Sequence, residues 1–196
     1  MLPKFTAGDK LVIHDTPLHK VWAELERMVD LGLVKNIGIS NCTVALLIDL
    51  WSYARIKPVM NQIELHPYLS QQSLVNFIRD KLGVHVTAYS PIGSTGFSHK
   101  SDSLKSFNLL QEPIIVDLAS KYNKSPAQIV LNWHIIHRKH VAIPKTTKPE
   151  RLGENLQCYN FTLTKEEYEK VDSLENGARF FNPINWAGYL NAPLFD

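Results

Sequence analysis

The stretch Leu33-Val34-Lys35-Asn36-Ile37-Gly38-Ile39 followed by Ser40-Asn41 has no helical spacing and reads as a short strand ending at Ser40-Asn41. Its neighbours decide the fold. Upstream, Thr16-Pro17 precedes Leu18, Val21, Trp22, Leu25, Met28 and Val29: an N-cap, a proline in the first turn and an apolar stripe at helical spacing, closed by Gly32. Downstream, Leu47, Leu50, Trp51 and Ala54 fall on one face of a second helix. Helix, strand and helix follow one another within a few residues.

The alternation repeats. Pro58 precedes a strand from Val59 to Ile63, and a helix from Gln71 to Lys81 turns Leu74, Phe77 and Ile78 inward. Gly83 opens the strand Val84 to Tyr89, after which Pro91 to Ser103 is a Gly/Ser-rich loop of functional length. Two helices follow. The second begins with the capping box Ser125-Pro126-Ala127-Gln128 and carries Ile129, Val130, Trp133 and Ile136. The strand Val141 to Pro144 leads through Lys145-Thr146-Thr147 into a short helix from Pro149 to Asn155. Thr164 with Glu167 caps a last helix bearing Tyr168, Val171 and Leu174, ended by Asn176-Gly177. Strands alternating with helices across short loops predict parallel strands in the α/β class. The four units between Val34 and Asn155 take about 30 residues each, half of what a barrel of roughly 250 residues and eight units requires. No linker or repeat divides the chain, so residues 1–196 are read as a single unit.

Net charge of +2, from 21 basic and 19 acidic residues, gives no electrostatic case for nucleic acid, and no apolar run is long enough to span a bilayer. With 44% apolar and 20% charged residues, a packed core is expected. Cys42 and Cys158 alone cannot frame a small disulfide fold or a four-ligand zinc site. They read as packing residues in a reducing, cytoplasmic compartment.

In such a barrel, ligands bind where the strands end. The first strand ends in Gly38-Ile39-Ser40-Asn41, the second in Asn61-Gln62-Ile63-Glu64-Leu65-His66-Pro67-Tyr68, the third in Tyr89-Ser90-Pro91-Ile92-Gly93-Ser94, and the fourth in Ile143-Pro144-Lys145-Thr146-Thr147 before Pro149-Glu150-Arg151. A loop feeding a helix N-terminus offers free N–H groups to an anion, and Lys145 and Arg151 flank it with a point charge and a planar fork, which suits a phosphate.

These segments resemble the aldo-keto reductase family, in its aldose and xylose reductase-like branch, from roughly Gly8 to the C-terminus and in the family's order and spacing. The resemblance implies an α/β fold that is a partial (β/α)8 TIM barrel, roughly strands 5–8 with their helices, and hence one incomplete domain over 1–196. It also implies an NADPH-dependent carbonyl reductase scaffold. Ser40, Asn41 and Gln62 match the residues that hydrogen-bond the nicotinamide carboxamide, and Tyr89 matches the ring that stacks on the nicotinamide. Ser90, Ile92 and Ser94 match pyrophosphate contacts. Lys145, Thr146, Thr147 and Arg151 match the 2′-phosphate pocket, and Glu154 and Asn155 the adenine contacts. Phe180 to Trp186 resembles the substrate loop.

The same resemblance implies a catalytic tetrad of Asp, Tyr, Lys and His on the first four strands, which this sequence does not contain, so no catalytic residue is assigned and the chain as written is expected to be inactive. Asp49 and Tyr53, four apart on a helix, read as surface and packing residues. His134, His137 and His140 are not a metal site, and His66 is architectural. Four strands leave two open edges, and an inner face bearing Ile37, Ile63 and Val86 is expected to need cover. A protein partner over the open half-barrel is therefore expected, with a small carbonyl substrate only once an N-terminal half is supplied. The alternative is a truncated reductase kept as a structural subunit of a larger assembly.

Overall fold

The computed structural model describes residues 16–93, 104, 106–182 and 195. Helix α1 (Leu18–Asp30) buries Trp22, whose indole N–H donates to the Ile56 carbonyl at 3.0 Å. Pro17 occupies the N-cap position itself, where no side chain caps the helix. At the other end the Gly32 N–H reaches Val29 and the Leu33 N–H reaches Met28, the paired bonds that a left-handed residue (Gly32, φ 70°) makes possible after a helix.

Four parallel strands follow in the order of the chain: β1 (Ile39–Ser40), β2 (Met60–Glu64), β3 (His85–Tyr89) and β4 (Val141–Ala142). Between them lie α2 (Val44–Tyr53), α3 (Gln72–Asn76), α4 (Pro113–Tyr122) and α5 (Pro126–Asn132). After β4 come α6 (Glu150–Leu156) and α7 (Lys165–Asp172). The parallel α/β alternation expected from the sequence is present. The outer strands are shorter than expected. Leu33 is 68% exposed and lies outside the sheet, although the pairing reaches back to Ile37, whose carbonyl accepts the Val59 N–H at 3.0 Å. β4 stops early because Pro144 has no N–H to donate, and the last ladder bond is Ile143 to the Ala88 carbonyl. α3 and α5 each loosen into a π-helical turn, Phe77–Lys81 and Trp133–His137, where regular helix was expected. α7 ends at Asp172 rather than at Asn176-Gly177.

The helix-covered face holds one core. Ile63, Leu65, Val86 and Ala88 pack with Leu47 of α2, Val75 of α3 and Ile78, while Ile37 packs with Trp22 and Leu50. This corrects the expected inner face: Ile37, Ile63 and Val86 lie beneath helices and are buried. A second core joins α4, α5 and α7 through Ile115, Leu118, Ile129, Val130, Trp133 and Val171. Asn132 is buried there with its amide spread over the carbonyls of Cys158 (2.7 Å) and Phe161 (2.8 Å) and the Tyr168 hydroxyl (2.7 Å). Both capping boxes read from the sequence form, at Ser125 with Gln128 and at Thr164 with Glu167. Cys42 and Cys158 are buried free thiols, and burial pushes both up from their ordinary range.

The three histidines of the α5–β4 segment do not converge. His137 pairs with Asp172 (3.0 Å) and stacks on Tyr168. His134 places Nε2 3.0 Å from the Pro91 carbonyl, so Nε2 carries the proton and Nδ1 accepts from His140 Nδ1 at 3.4 Å. His140 Nε2 is then a buried lone pair with no partner among the described residues.

Two outcomes follow from this packing. A Cβ on Gly38 would sit 2.9 Å from the Met60 backbone oxygen, so Gly38→Ala forces β1 away from β2 and should lower unfolding free energy by about 1–3 kcal/mol; an unchanged denaturant midpoint contradicts the pairing. Burial, aided by the charges of Arg138, Arg79 and His137, lowers the His140 imidazole to about 4 from its ordinary 6.5. Because the folded form resists protonation that the unfolded chain accepts, stability should fall as pH drops from 6.5 to about 4. An NMR titration of His140 with a midpoint near 6.5 would contradict this.

Candidate functional site

Side chains alternate across a strand, so the residues between the core positions of each strand face the opposite side of the sheet. Register lines them up: Ser40 beside Gln62, Gln62 beside Thr87, Thr87 beside Val141, and Glu64 beside Tyr89. The polar strand ends read from the sequence therefore occupy one rim.

At the β1 end, Ser40 Oγ donates to the Gln62 carbonyl at 3.0 Å, and the Asn41 N–H donates to the same carbonyl at 2.9 Å. Asn41 adopts the left-handed region (φ 57°), which asparagine tolerates better than most residues and which turns the chain sharply out of the strand. The side-chain amides of Asn41 and Gln62 have no hydrogen-bond partner among the described residues, and Ser40 and Asn41 are exposed. Two free amides and a hydroxyl lie where the chain leaves β1 and along β2, able to pair with an amide-like group.

Tyr89 closes β3, half-buried, with the Phe181 ring edge-on at 5.5 Å. Burial pushes its phenol up from the ordinary range, the Glu64 charge adds to this, and Arg179 opposes it. Ser90 is left-handed (φ 51°), and the Gly93 N–H closes a turn on its carbonyl at 2.9 Å. Gly93 needs to be glycine, since φ is 81° and a Cβ would lie 3.0 Å from that of Leu109. Ile92 is half-buried against the α4–α5 core, so its side chain serves packing. Ser94 lies outside the described residues.

Beyond β4, Thr146 Oγ1 accepts the Lys148 N–H at 3.1 Å and shapes the loop into α6. Lys145, Thr147 and Arg151 are exposed, and neither Lys145 nor Arg151 forms an ion pair with a described residue. Glu154 and Asn155 are half-buried on α6, with the Glu154 carbonyl accepting from Gln128 Nε2 at 2.8 Å. Sheet order thus sets free amides at β1 and β2, an aromatic ring at β3 and unpaired cations after β4. Three inter-strand steps cover about 15 Å.

His66 is fully buried against Glu64 and Phe180. Three residues that no motif or spacing singles out, Glu64, Gln71 and Arg179, also meet here. Arg179 Nη2 donates to Gln71 Oε1 at 3.1 Å, and both line a cavity of about 300 Å³ with Asn41, Cys42, Ile63 and Phe195. The signal for Glu64 was a carboxylate between Ile63 and Leu65 in a buried strand. No group of three or more His, Cys, Asp or Glu that could hold a metal occurs among the described residues, and none of the described helices is long and apolar enough to cross a membrane.

The Aldo/keto reductase family model matches residues 11–176. The 4-dihydromethyl-trisporate dehydrogenase of Mucor mucedo is 38% identical over 197 residues, covering 99% of this chain and 60% of that protein. The NAD(P)H-dependent D-xylose reductase of Candida tenuis is 41% identical, covering 98% of this chain and 60% of that protein. The solved aldose reductase of Giardia lamblia superposes with a TM-score of 0.84 at 34% identity, over 99% of this chain and 61% of that one. The chain therefore spans about three fifths of the length of these relatives, somewhat more than the half suggested by counting strands. With a family match over most of its residues and relatives 38–41% identical along nearly all of it, this chain belongs to the aldo/keto reductase family.

Proposed function

We propose that these residues are the nucleotide-binding, C-terminal part of an NADPH-dependent carbonyl reductase of the aldose and xylose reductase type, corresponding to strands 5–8 of the barrel. The observation that carries this reading is the order of groups along the rim, which matches the order of parts in an extended dinucleotide. The donor set fits. Ser40, Asn41 and Gln62 would hold the nicotinamide carboxamide, Tyr89 would stack on the ring, and Ser90, Ile92 and Ser94 would line the pyrophosphate. Lys145, Thr146, Thr147 and Arg151 would hold the 2′-phosphate, and Glu154 and Asn155 the adenine. When bound, NADPH supplies a hydride. The general acid that carbonyl reduction also requires has no match to the family's tetrad in these 196 residues. A small aldehyde or ketone is then the substrate of the protein completed by that tetrad, and this chain alone should show no NADPH-dependent aldehyde turnover above background; turnover lost on replacing His66 or Tyr68 would contradict this.

A second reading, a truncated reductase serving as a structural subunit, draws on the exposed apolar side chains of the β4 edge. Val141 and Ile143, 54% and 44% exposed, are apolar there, and β1 and β4 each have a single strand neighbour among the described residues. In this second reading a protein partner would cover that edge. The buried, unpaired thiols suit a reducing cytoplasmic setting.

NADP(H) should bind better than NAD(H), because Lys145 and Arg151 have a phosphate to pair with in one and a hydroxyl in the other. A hydrogen bond to a charged group contributes about 1.5–3 kcal/mol, so Arg151→Ala should weaken NADP(H) by roughly ten- to a hundredfold and NAD(H) far less. Calorimetry showing equal losses for the two cofactors would contradict the assignment of Arg151.

A further inference from the structure

Glu64 is a carboxylate with no solvent exposure at the end of a strand whose neighbours, Ile63 and Leu65, serve the core. Burying a charge is unfavourable unless donors replace water, and here three do. The Phe180 N–H donates to Oε1 at 2.7 Å, the Phe181 N–H donates to Oε2 at 3.0 Å, and His66 Nε2 stands 3.0 Å from Oε1. Both oxygens are thus committed to a segment 116 and 117 residues away in sequence. The attachment continues on either side. Phe180 stacks on His66 at 4.7 Å, Gln71 Nε2 donates to the Glu64 carbonyl at 2.6 Å, and Arg179 holds Gln71 from the other end. Three consecutive residues, Arg179, Phe180 and Phe181, are therefore fastened to the end of β2.

What this fastening positions is visible on the next strand. Glu64 and Tyr89 are register partners on the same face, and the ring of Phe181 meets the ring of Tyr89 at 5.5 Å and 89°. We infer that Glu64 is a positioning residue for the cofactor's nicotinamide half: by gripping the Phe180 and Phe181 amides it sets the Phe181 ring against Tyr89 and fixes the stacking platform. This rests on the reading of the rim as an NADP(H) site. The phosphate-binding loop after β4 is two strands from β2 and shares none of these contacts. Glu64 therefore acts on one half of the dinucleotide and not on the other.

Adenosine 2′,5′-bisphosphate carries the adenine and 2′-phosphate without nicotinamide, so it separates the two halves. Glu64→Gln keeps the shape but presents an NH2 group to one of the two backbone N–H donors, releasing at least one tie. An aromatic contact of this kind is worth about 0.5–1.5 kcal/mol, so the variant should weaken NADPH by about two- to tenfold while leaving adenosine 2′,5′-bisphosphate unchanged. Amide exchange at Phe180 and Phe181, slow in the unsubstituted protein, should quicken by roughly tenfold or more. Equal losses for both ligands, or no loss for either, would overturn the inference and leave the cofactor reading intact. Unprotected Phe180 and Phe181 amides in the unsubstituted protein would overturn it without any variant. Should Glu64→Gln not fold, Phe181→Ala retains the buried carboxylate and should give the same split between the two ligands. An unsubstituted protein that binds neither ligand would instead refute the cofactor reading, and this role of Glu64 with it.

Discussion

The two-residue alternation of parallel strands is the constraint on which the other features depend. A strand covered by helices on one face must give every second residue to that core. In β2 and β3 those residues are Ile63, Val86 and Ala88, continued by Leu65 beyond the strand end. The positions between them, Gln62, Glu64, Thr87 and Tyr89, are free of that duty and face the other way. Parallel register then holds these residues in rows across neighbouring strands, and the strand ends deliver Ser40, Asn41, Ser90 and Lys145 to one rim. A shift of one residue in any strand would exchange the core set with the rim set. Gly38, which lets β1 approach the Met60 carbonyl, keeps the first row in place.

Within that frame, polar groups divide into those that are satisfied and those left open. Asn132, Gln128 and Trp22 find their partners inside and serve architecture. Glu64 is also satisfied, but through the backbone of a distant segment, which makes it a link between the sheet and the residues following α7. Asn41 and Gln62 keep their amides free, and Lys145 and Arg151 keep their charges unpaired among the described residues. This contrast, more than any single contact, separates the groups that serve the scaffold from those left available to a ligand.

Much of this was legible in the sequence because its signals are local. Helical stripes, the Ser125 and Thr164 capping boxes, and the glycine that ends α1 all report on residues within one or two turns. The strand faces were less accessible. Ile37, Ile63 and Val86 are apolar whether they point at helices or into a barrel, so hydrophobicity alone could not say which face they take, and the expectation that they line the inner face was wrong. Strand limits at Leu33 and Pro144 depended on pairing partners far away in sequence. The π turns at Phe77–Lys81 and Trp133–His137 leave no mark in apolar spacing. The role of Glu64 depends on Phe180 and Phe181 more than a hundred residues later, and only its odd placement between two core residues hinted at it.

Membership of the aldo/keto reductase family gives these observations a common sense, and the proposed reading takes the rim as the seat of an elongated ligand with an amide at one end and a phosphate at the other. The central claim is the direction in which that ligand lies. Intermolecular NOEs in the protein saturated with NADP(H) test it most directly. The account predicts contacts from the nicotinamide ring protons to Tyr89 and from the adenine protons to Asn155, and nicotinamide contacts at the Lys145–Arg151 loop, or none at Tyr89, would contradict it.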